Sequence, residues 1–212
     1  MLKIFLSGGP VMYPLLLCSV IVLTVIVERF YFWIKTDIHS KRALVDEILE
    51  LSRAGEWERV KEKTSDTDDY LVRILISGIL HREFSMAKAM EAAANDEIKR
   101  MRQFMAILDT MITVAPLLGI FGTVIGIIIS FEILGTSGIE HPEAVTAGIA
   151  QALITTAAGL GIAILTVFPF NYFNSRIENA VLRIEKYATS LEIVYEKLDQ
   201  TLEEESGRAY EN

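Results

Sequence analysis

The chain has 212 residues, of which 51% are hydrophobic and 23% are charged, and its formal net charge is −8. A mean hydropathy of +0.37 alongside this much charge is typical of a chain that alternates between lipid and water, and the negative balance gives no reason to expect nucleic-acid binding. The single cysteine, Cys18, excludes an internal disulfide.

Three uncharged windows, at residues 11–27, 110–131 and 144–175, predict three transmembrane helices. The second and third windows can cross about 30 Å of hydrocarbon at about 1.5 Å per residue. The first window is near the short limit, and the aromatic run "FYFW" at 30–33 extends it into the interface. The alternative is three buried helices of a soluble protein, but so short a chain could hardly bury three such segments in water. We therefore predict an all-α integral membrane protein that assembles as a homo-oligomer, with spans two and three extended into the cytoplasm.

The predicted organisation follows these windows along the chain. The regions are a periplasmic N-terminus with span one (1–35), a cytoplasmic helical region (36–104), span two (105–134), a periplasmic turn (135–143), span three (144–173) and a cytoplasmic C-terminal helix and tail (174–212). A stretch without Pro or Gly from Ser85 onward predicts one unbroken helix into span two. Glu28 and Arg29 are interpreted as a pair that reaches the membrane interface.

The distribution of Lys and Arg predicts the orientation of the chain. Thirteen of these residues lie between Lys35 and Arg102 and five between Arg176 and the C-terminus, whereas residues 135–143 contain none. The positive-inside rule then places both charged regions in the cytoplasm and the N-terminus in the periplasm of a bacterial inner membrane.

Small residues recur at helical spacing on spans two and three, and each set falls within one arc of its helix. Such stripes allow close helix packing in lipid, and packing alone is sufficient to explain them. We predict that the stripes, together with the cytoplasmic extensions of spans two and three, hold the copies of the oligomer together. The candidate packing residues are Ala115, Gly119, Gly122, Gly126, Gly148, Ala152 and Gly159.

The threonines on these stripes invite a second interpretation. Thr123 and Thr156 lie nine and ten residues from the predicted outer ends of their helices, or about 14 Å deep at about 1.5 Å per residue, close to the membrane midplane. Each hydroxyl could bond only to its own helix, or the pair could line a polar cavity. The candidate pore-lining residues are Thr123, Thr155, Thr156 and Gln151.

The chain shows no pattern that predicts catalysis. His39, His81 and His141 are scattered without metal-ligand spacing, and the sequence contains no nucleophile elbow or CxxC pair. We therefore expect no enzyme activity, cofactor or metal. No carboxylate, His or Lys lies near the middle of a span, so a titrating group for proton transport would have to come from a partner. Asp109, at the predicted cytoplasmic mouth, is a weaker candidate site.

Two segments resemble the signature segments of the MotA/TolQ/ExbB proton channel family: "APLLGIFGTVIGIIISF" at 115–131 and "GIAQALITTAAGLGIAI" at 148–164. Residues 8–30 are similar to the first span of the ExbB/TolQ branch, and three spans rather than four disfavour the MotA branch. The resemblance covers all three spans in order.

The resemblance implies five copies around a pore that holds two single-span partners of the ExbD/TolR type, with an Asp on the partner helix carrying protons. It assigns the family's two pore threonines to Thr123 and Thr156. Gln151 departs from the Glu that many members have there, so a role for that charge is not carried over. A passive oligomeric scaffold that recruits partners through cytoplasmic helices is the alternative. The sequence favours H⁺ over Na⁺ as the transported ion. It leaves open which cellular process the ion flow energises.

Overall fold

The structure, a computed structural model, describes residues 7–38, 42–64, 67–137 and 142–210. Every regular element in these ranges is a helix: α1 (Met12–Ile38), α2 (Arg42–Arg53), α3 (Trp57–Thr64), α4 (Tyr70–Leu80), α5 (Arg82–Met101), α6 (Met105–Ser137) and α7 (Pro142–Tyr210). The helices α1, α6 and α7 contain stretches long and apolar enough to cross a membrane. An all-helical fold with three such helices fits the predicted integral membrane protein. His39 and His141 lie outside the described residues.

The helices divide into two compact units. Residues 1–30 and 104–174 form the membrane unit, which contains the apolar parts of α1, α6 and α7. Residues 31–103 and 175–212 form the charged unit, which contains α2 to α5 and the remaining parts of α1 and α7.

The predicted unbroken helix from Ser85 into span two is wrong. A turn at residues 102–104 separates α5 from α6, and Phe104 has a φ of +64°, in the left-handed region that a bulky residue rarely adopts. The carbonyl of Phe104 accepts bonds from the amides of Ile107 and Leu108 and so begins the next helix. Without Gly or Pro in this stretch, the sequence contained no signal for the break.

The charged unit is built around α4, which is buried on most of its surface rather than on one face. The side chain of Asp69 caps its start by accepting from the amide of Leu71 at 2.8 Å. Arg73 on α4 donates from Nε and Nη2 to the two carboxylate oxygens of Glu97 on α5, at 3.0 and 2.9 Å. This two-point ion pair fixes the register of the two helices.

Tyr70, at the start of α4, should make the charged unit sensitive to alkali. Burial raises the pKa of its phenol, and among the described residues its hydroxyl has no hydrogen-bond partner. The folded pKa of Tyr70 lies above the unfolded value of about 10. The free energy that the neutral buried phenol contributes to folding is therefore fully present below about pH 10. It is lost as pH rises through the folded pKa, at up to about 1.4 kcal/mol per pH unit.

We expect Tyr70→Phe to remove this alkaline loss and to leave stability at neutral pH equal or higher by about 1 kcal/mol, since it deletes an unpaired buried hydroxyl. The measurement is the thermal midpoint in detergent as a function of pH. Tyr187→Phe, which removes a hydroxyl 3.4 Å from Asp46 Oδ1, is the control and should keep the wild-type pH dependence. A destabilised Tyr70→Phe at pH 7 would contradict the expectation.

Candidate functional site

Helices α6 and α7 run antiparallel and meet through their small residues. A Cβ added at Gly126 would lie 2.8 Å from the Gly148 carbonyl oxygen, and one added at Gly119 would lie 3.0 Å from the Thr155 carbonyl oxygen. A Cβ at Gly159 would collide with the Ala115 carbonyl oxygen. The backbones therefore touch along the whole stripe, at a distance that only small residues permit.

This contact changes the reason for expecting an oligomer. The stripes were predicted to hold copies of the chain together, but in the structure each stripe covers the other within one chain. Their buried members include Ala115, Ala152 and Ser130, which are at most 3% exposed. The Ser130 hydroxyl also bridges the helices, with carbonyl oxygens at 2.9 Å (Gly126) and 3.2 Å (Val145). The two stripes are therefore not available for contacts between copies of the chain.

Thr155 lies inside this helix contact. It is 1% exposed, its Oγ1 lies 2.8 Å from the carbonyl oxygen of Ala152 on its own helix, and it fills the space beside Gly122. Within this chain Thr155 is therefore a packing residue, and its place in the predicted pore-lining set stays a prediction.

Thr156 and Thr123 occupy the edge of the same contact. Both are partly exposed. The Thr156 hydroxyl donates across the contact to the carbonyl oxygen of Gly119 at 3.0 Å, and the Thr123 hydroxyl donates to the carbonyl oxygen of Ile120 at 2.5 Å. Gly119 and Thr123 are four residues apart, so they lie one turn apart on the same face of α6. The two hydroxyls thus belong to one region of the α6–α7 edge.

Gln151 faces a different neighbour. Its side-chain amide packs against Gly9, which has a φ of +69° and no room for a Cβ. Five residues at 100° each turn the helix by about 500°, so Gln151 and Thr156 point about 140° apart. The structure therefore separates Gln151 from the two edge threonines and assigns it to the contact with the segment before α1.

Helix α1 packs along α7 in the same direction. Gly9 meets Gln151 near one end, and the rings of Phe30 and Phe173 lie 4.9 Å apart near the other. The beginning of α1 therefore lies at the same end of the membrane unit as the beginning of α7. This arrangement is what three successive spans require.

Arg29 is buried, which the sequence did not reveal. It is 1% exposed, donates from Nε and Nη2 to the carboxylate of Glu28 at 2.5 and 2.6 Å, and places its guanidinium 5.6 Å from the Phe104 ring. The interpretation of Glu28 and Arg29 as a pair reaching the interface therefore fails for Arg29. Its charge instead lies over the strained residue that begins α6.

Asp109 is exposed near the start of α6. It lies fourteen residues, or two heptads, before Thr123, so the two side chains are only about 40° apart around the helix axis. At about 1.5 Å per residue, the carboxylate is about 21 Å from Thr123 along the axis. Asp109 and Thr123 therefore share one side of α6 but not one site.

Comparison with known proteins gives consistent matches. The model of the MotA/TolQ/ExbB proton channel family matches residues 67–186. A putative biopolymer transport protein ExbB-like 3 from Synechocystis sp. is 32% identical over 206 residues, which cover 94% of this chain and 97% of the relative. ExbB-like 1 from the same organism is 35% identical over 202 residues, or 92% and 78% of the two chains. A Tol-Pal system protein TolQ from Pseudomonas aeruginosa is 36% identical over 109 residues, which cover 51% of this chain and 47% of the relative.

Proposed function

Since this chain belongs to the MotA/TolQ/ExbB proton channel family, we propose that it is the pore-forming subunit of an inner-membrane motor driven by the proton-motive force. The motor would couple ion flow to mechanical work across the periplasm, in the service of biopolymer transport. The observation that carries the proposal is the pair of hydroxyls at Thr123 and Thr156, which are partly exposed and share one edge of a helix contact made of small residues. This role is that of a transporter subunit and involves no enzyme activity.

The distribution of charge supports a pathway shared with a partner. Residues 110–131 and 144–175 contain no Asp, Glu, His, Lys or Arg. These windows therefore offer polar contacts to a proton but no carboxyl, imidazole or amine to carry it. A carboxyl on the helix of an ExbD/TolR-like partner would supply that group, and the two threonine hydroxyls would bond to it or to water. The α6–α7 edge that carries Thr123 and Thr156 would then face the partner.

Large apolar side chains on the outer faces of the spans would contact lipid and neighbouring copies. On α6 these include Leu117, Phe121 and Val124, each about half exposed, and α1 and α7 carry similar rows. We propose that five copies meet through such faces and enclose a dimer of the single-span partner, while the small stripes hold each protomer together.

Native mass measurement in mild detergent tests the assembly. We expect the purified chain to assemble as five copies. One protomer contributes only one polar edge, so several protomers are needed to enclose an ion pathway. Proton flux in vesicles should require co-reconstitution with the single-span partner. A stable monomer, or full flux from the chain alone, would contradict the proposal. A stable oligomer that never yields flux with its partner would favour the scaffold alternative.

We also propose that the N-terminus is periplasmic and that both charged regions are cytoplasmic, on the distribution of Lys and Arg described above. Parallel packing of α1 and α7 agrees with this topology, because both helices would enter from the periplasm.

Cysteine labelling tests this orientation. In a Cys18→Ala background, Thr136→Cys near the end of α6 should react with an impermeant thiol reagent added from the periplasm. Glu58→Cys on α3, where the side chain is 85% exposed, should react only after the membrane is opened. The two positions are both solvent-accessible, so each is the control for the other. Reversed labelling would overturn the proposed orientation.

A further inference from the structure

A groove with a volume of about 300 Å³ runs between α5 and α7 in the charged unit. It extends from Ala87 to Ile98 on α5 and from Val181 to Glu192 on α7. Each side spans eleven residue steps, or about 16 Å at about 1.5 Å per residue. The groove is therefore about three helical turns long.

The floor of the groove is apolar and is shaped by small side chains. Met90 and Ile184 line it and are 3% and 4% exposed. Ala94 and Ala188, one turn further along each helix, are partly exposed, and an alanine side chain ends at Cβ. A depression with an apolar floor therefore remains between the two helices, and the apolar face of an amphipathic helix fits a groove of this kind.

The rim of the groove is acidic. Glu91 lines it from α5, and Glu185 and Glu192 line it from α7. None of these three carboxylates forms an ion pair within the part of the chain that the structure describes, and no described Lys or Arg lines the groove. Three negative charges around an apolar floor favour a basic occupant by charge complementarity.

The charge of the chain itself disfavours a second copy as the occupant. The charged unit has 18 Lys and Arg residues and 23 Asp and Glu residues. The charged unit of another copy would bring a net negative charge to an acidic rim, and like charges placed together oppose binding. A different, basic chain is therefore the better match.

The single-span partner of the proposed function offers a segment with this chemistry. A protein that crosses the membrane once and works in the periplasm leaves its other terminal segment in the cytoplasm. Lys and Arg accumulate on the cytoplasmic side of a span. The proposed orientation places the charged unit, and with it the groove, in the same compartment.

We propose that the groove between α5 and α7 binds a basic, amphipathic cytoplasmic segment of the single-span partner. Apolar side chains of that segment occupy the floor, and its Lys or Arg side chains pair with Glu91, Glu185 and Glu192. This inference rests on the proposed function, because it needs the same partner, but it involves neither Thr123 nor Thr156.

Photo-crosslinking of the full chain, co-expressed with a tagged ExbD/TolR-like partner, tests the groove. p-Benzoyl-phenylalanine in place of Thr189, an exposed residue that lines the groove, should form an adduct with the partner. Mass spectrometry should map the attachment to the cytoplasmic side of the partner's span. The same amino acid in place of Asp96, which is exposed on α5 but does not line the groove, is the control and should give no such adduct.

Neutralising the rim tests the charge complementarity. The triple variant Glu91→Gln/Glu185→Gln/Glu192→Gln should lower the yield of the Thr189 adduct about tenfold, since it removes three ion pairs that are each modest at an exposed surface. The partner should still co-purify with this variant, because its membrane span is held elsewhere.

A matched triple variant makes the same change in net charge away from the groove. Glu50, Asp96 and Asp199 are exposed and do not line the groove. Glu50→Gln/Asp96→Asn/Asp199→Asn should therefore leave the adduct yield unchanged. An equal loss in both triple variants would overturn the proposal, because net charge alone would then explain the effect.

The remaining outcomes separate this proposal from the proposed function. If the partner co-purifies but no adduct forms at Thr189, or if the rim variant keeps the full yield, the groove proposal is wrong and the proposed function is unaffected. An adduct between two copies of this chain, or with any other protein, would also overturn the groove proposal. If the partner does not co-purify at all, both proposals fail.

Discussion

Replacing Thr123 and Thr156 together by valine is expected to abolish proton flux while the assembly with the partner survives. Valine keeps the shape of threonine and removes only the hydroxyl. The structural cost is small, because the substitution loses one bond between helices, from Thr156 to the Gly119 carbonyl, and such bonds in membranes are worth about 0.6 kcal/mol on average. Positioned groups in proton transfer contribute roughly 10²-fold or more in rate, so flux should fall by that order.

The measurement is proton flux in vesicles that contain both subunits, with a pull-down of the partner to verify assembly. Thr→Ser at both positions should be mild, because serine retains a donor and an acceptor. Thr155→Val is the matched control: Thr155 is the neighbour of Thr156 but is 1% exposed inside the helix contact, so its variant should conduct normally. Full flux in the double valine variant would return both residues to a packing role.

Gly159→Ala is expected to destabilise the protein strongly, although it adds a single methyl group. That methyl would meet the backbone carbonyl of Ala115, and a backbone atom cannot yield without separating α6 from α7. Overpacking of this kind costs about 1–3 kcal/mol. Leucine at Gly122 or Gly126 should cost more, because a Cβ alone would already lie 2.5 or 2.8 Å from atoms of α7. The thermal midpoint in detergent measures the effect.

Gly161→Ala is the matched control, two residues away on the same helix. A Cβ at Gly161 has no neighbour within 4 Å, and alanine is favoured over glycine in a helix by up to about 1 kcal/mol. This variant should therefore be neutral or more stable. Equal stability of Gly159→Ala and the parent would show that the two helices do not meet as closely as the structure has them. Loss of stability in Gly161→Ala would indicate that a neighbouring copy packs against the face of α7 that carries Gly161.

The membership of the MotA/TolQ/ExbB family, predicted from two short signature segments, is confirmed by the family match and by relatives aligned over nearly the whole chain. The all-helical fold with three apolar helices was also predictable, because uncharged windows of spanning length leave the backbone no other way to satisfy its hydrogen bonds in lipid. The roles of Thr123 and Thr156 in transport stay predictions.

The helix break before α6 could not be predicted, because the residues from Arg102 to Phe104 include neither Gly nor Pro. A left-handed Phe is unfavourable in isolation, and the buried guanidinium of Arg29 lies over its ring. These two residues are 75 positions apart, and local propensity carries no information about such a contact.

Composition was sufficient to locate the membrane-spanning segments, and the 100° turn per residue was sufficient to show which residues share a face of each helix. The sequence did not determine what each face contacts. Only the tertiary structure showed that the two small stripes cover each other within one chain, that Thr155 lies inside this contact and Thr156 at its edge, and that Gln151 faces Gly9. The reason is physical: periodicity gives an angle about a helix axis, whereas the neighbour found at that angle depends on how separate helices pack.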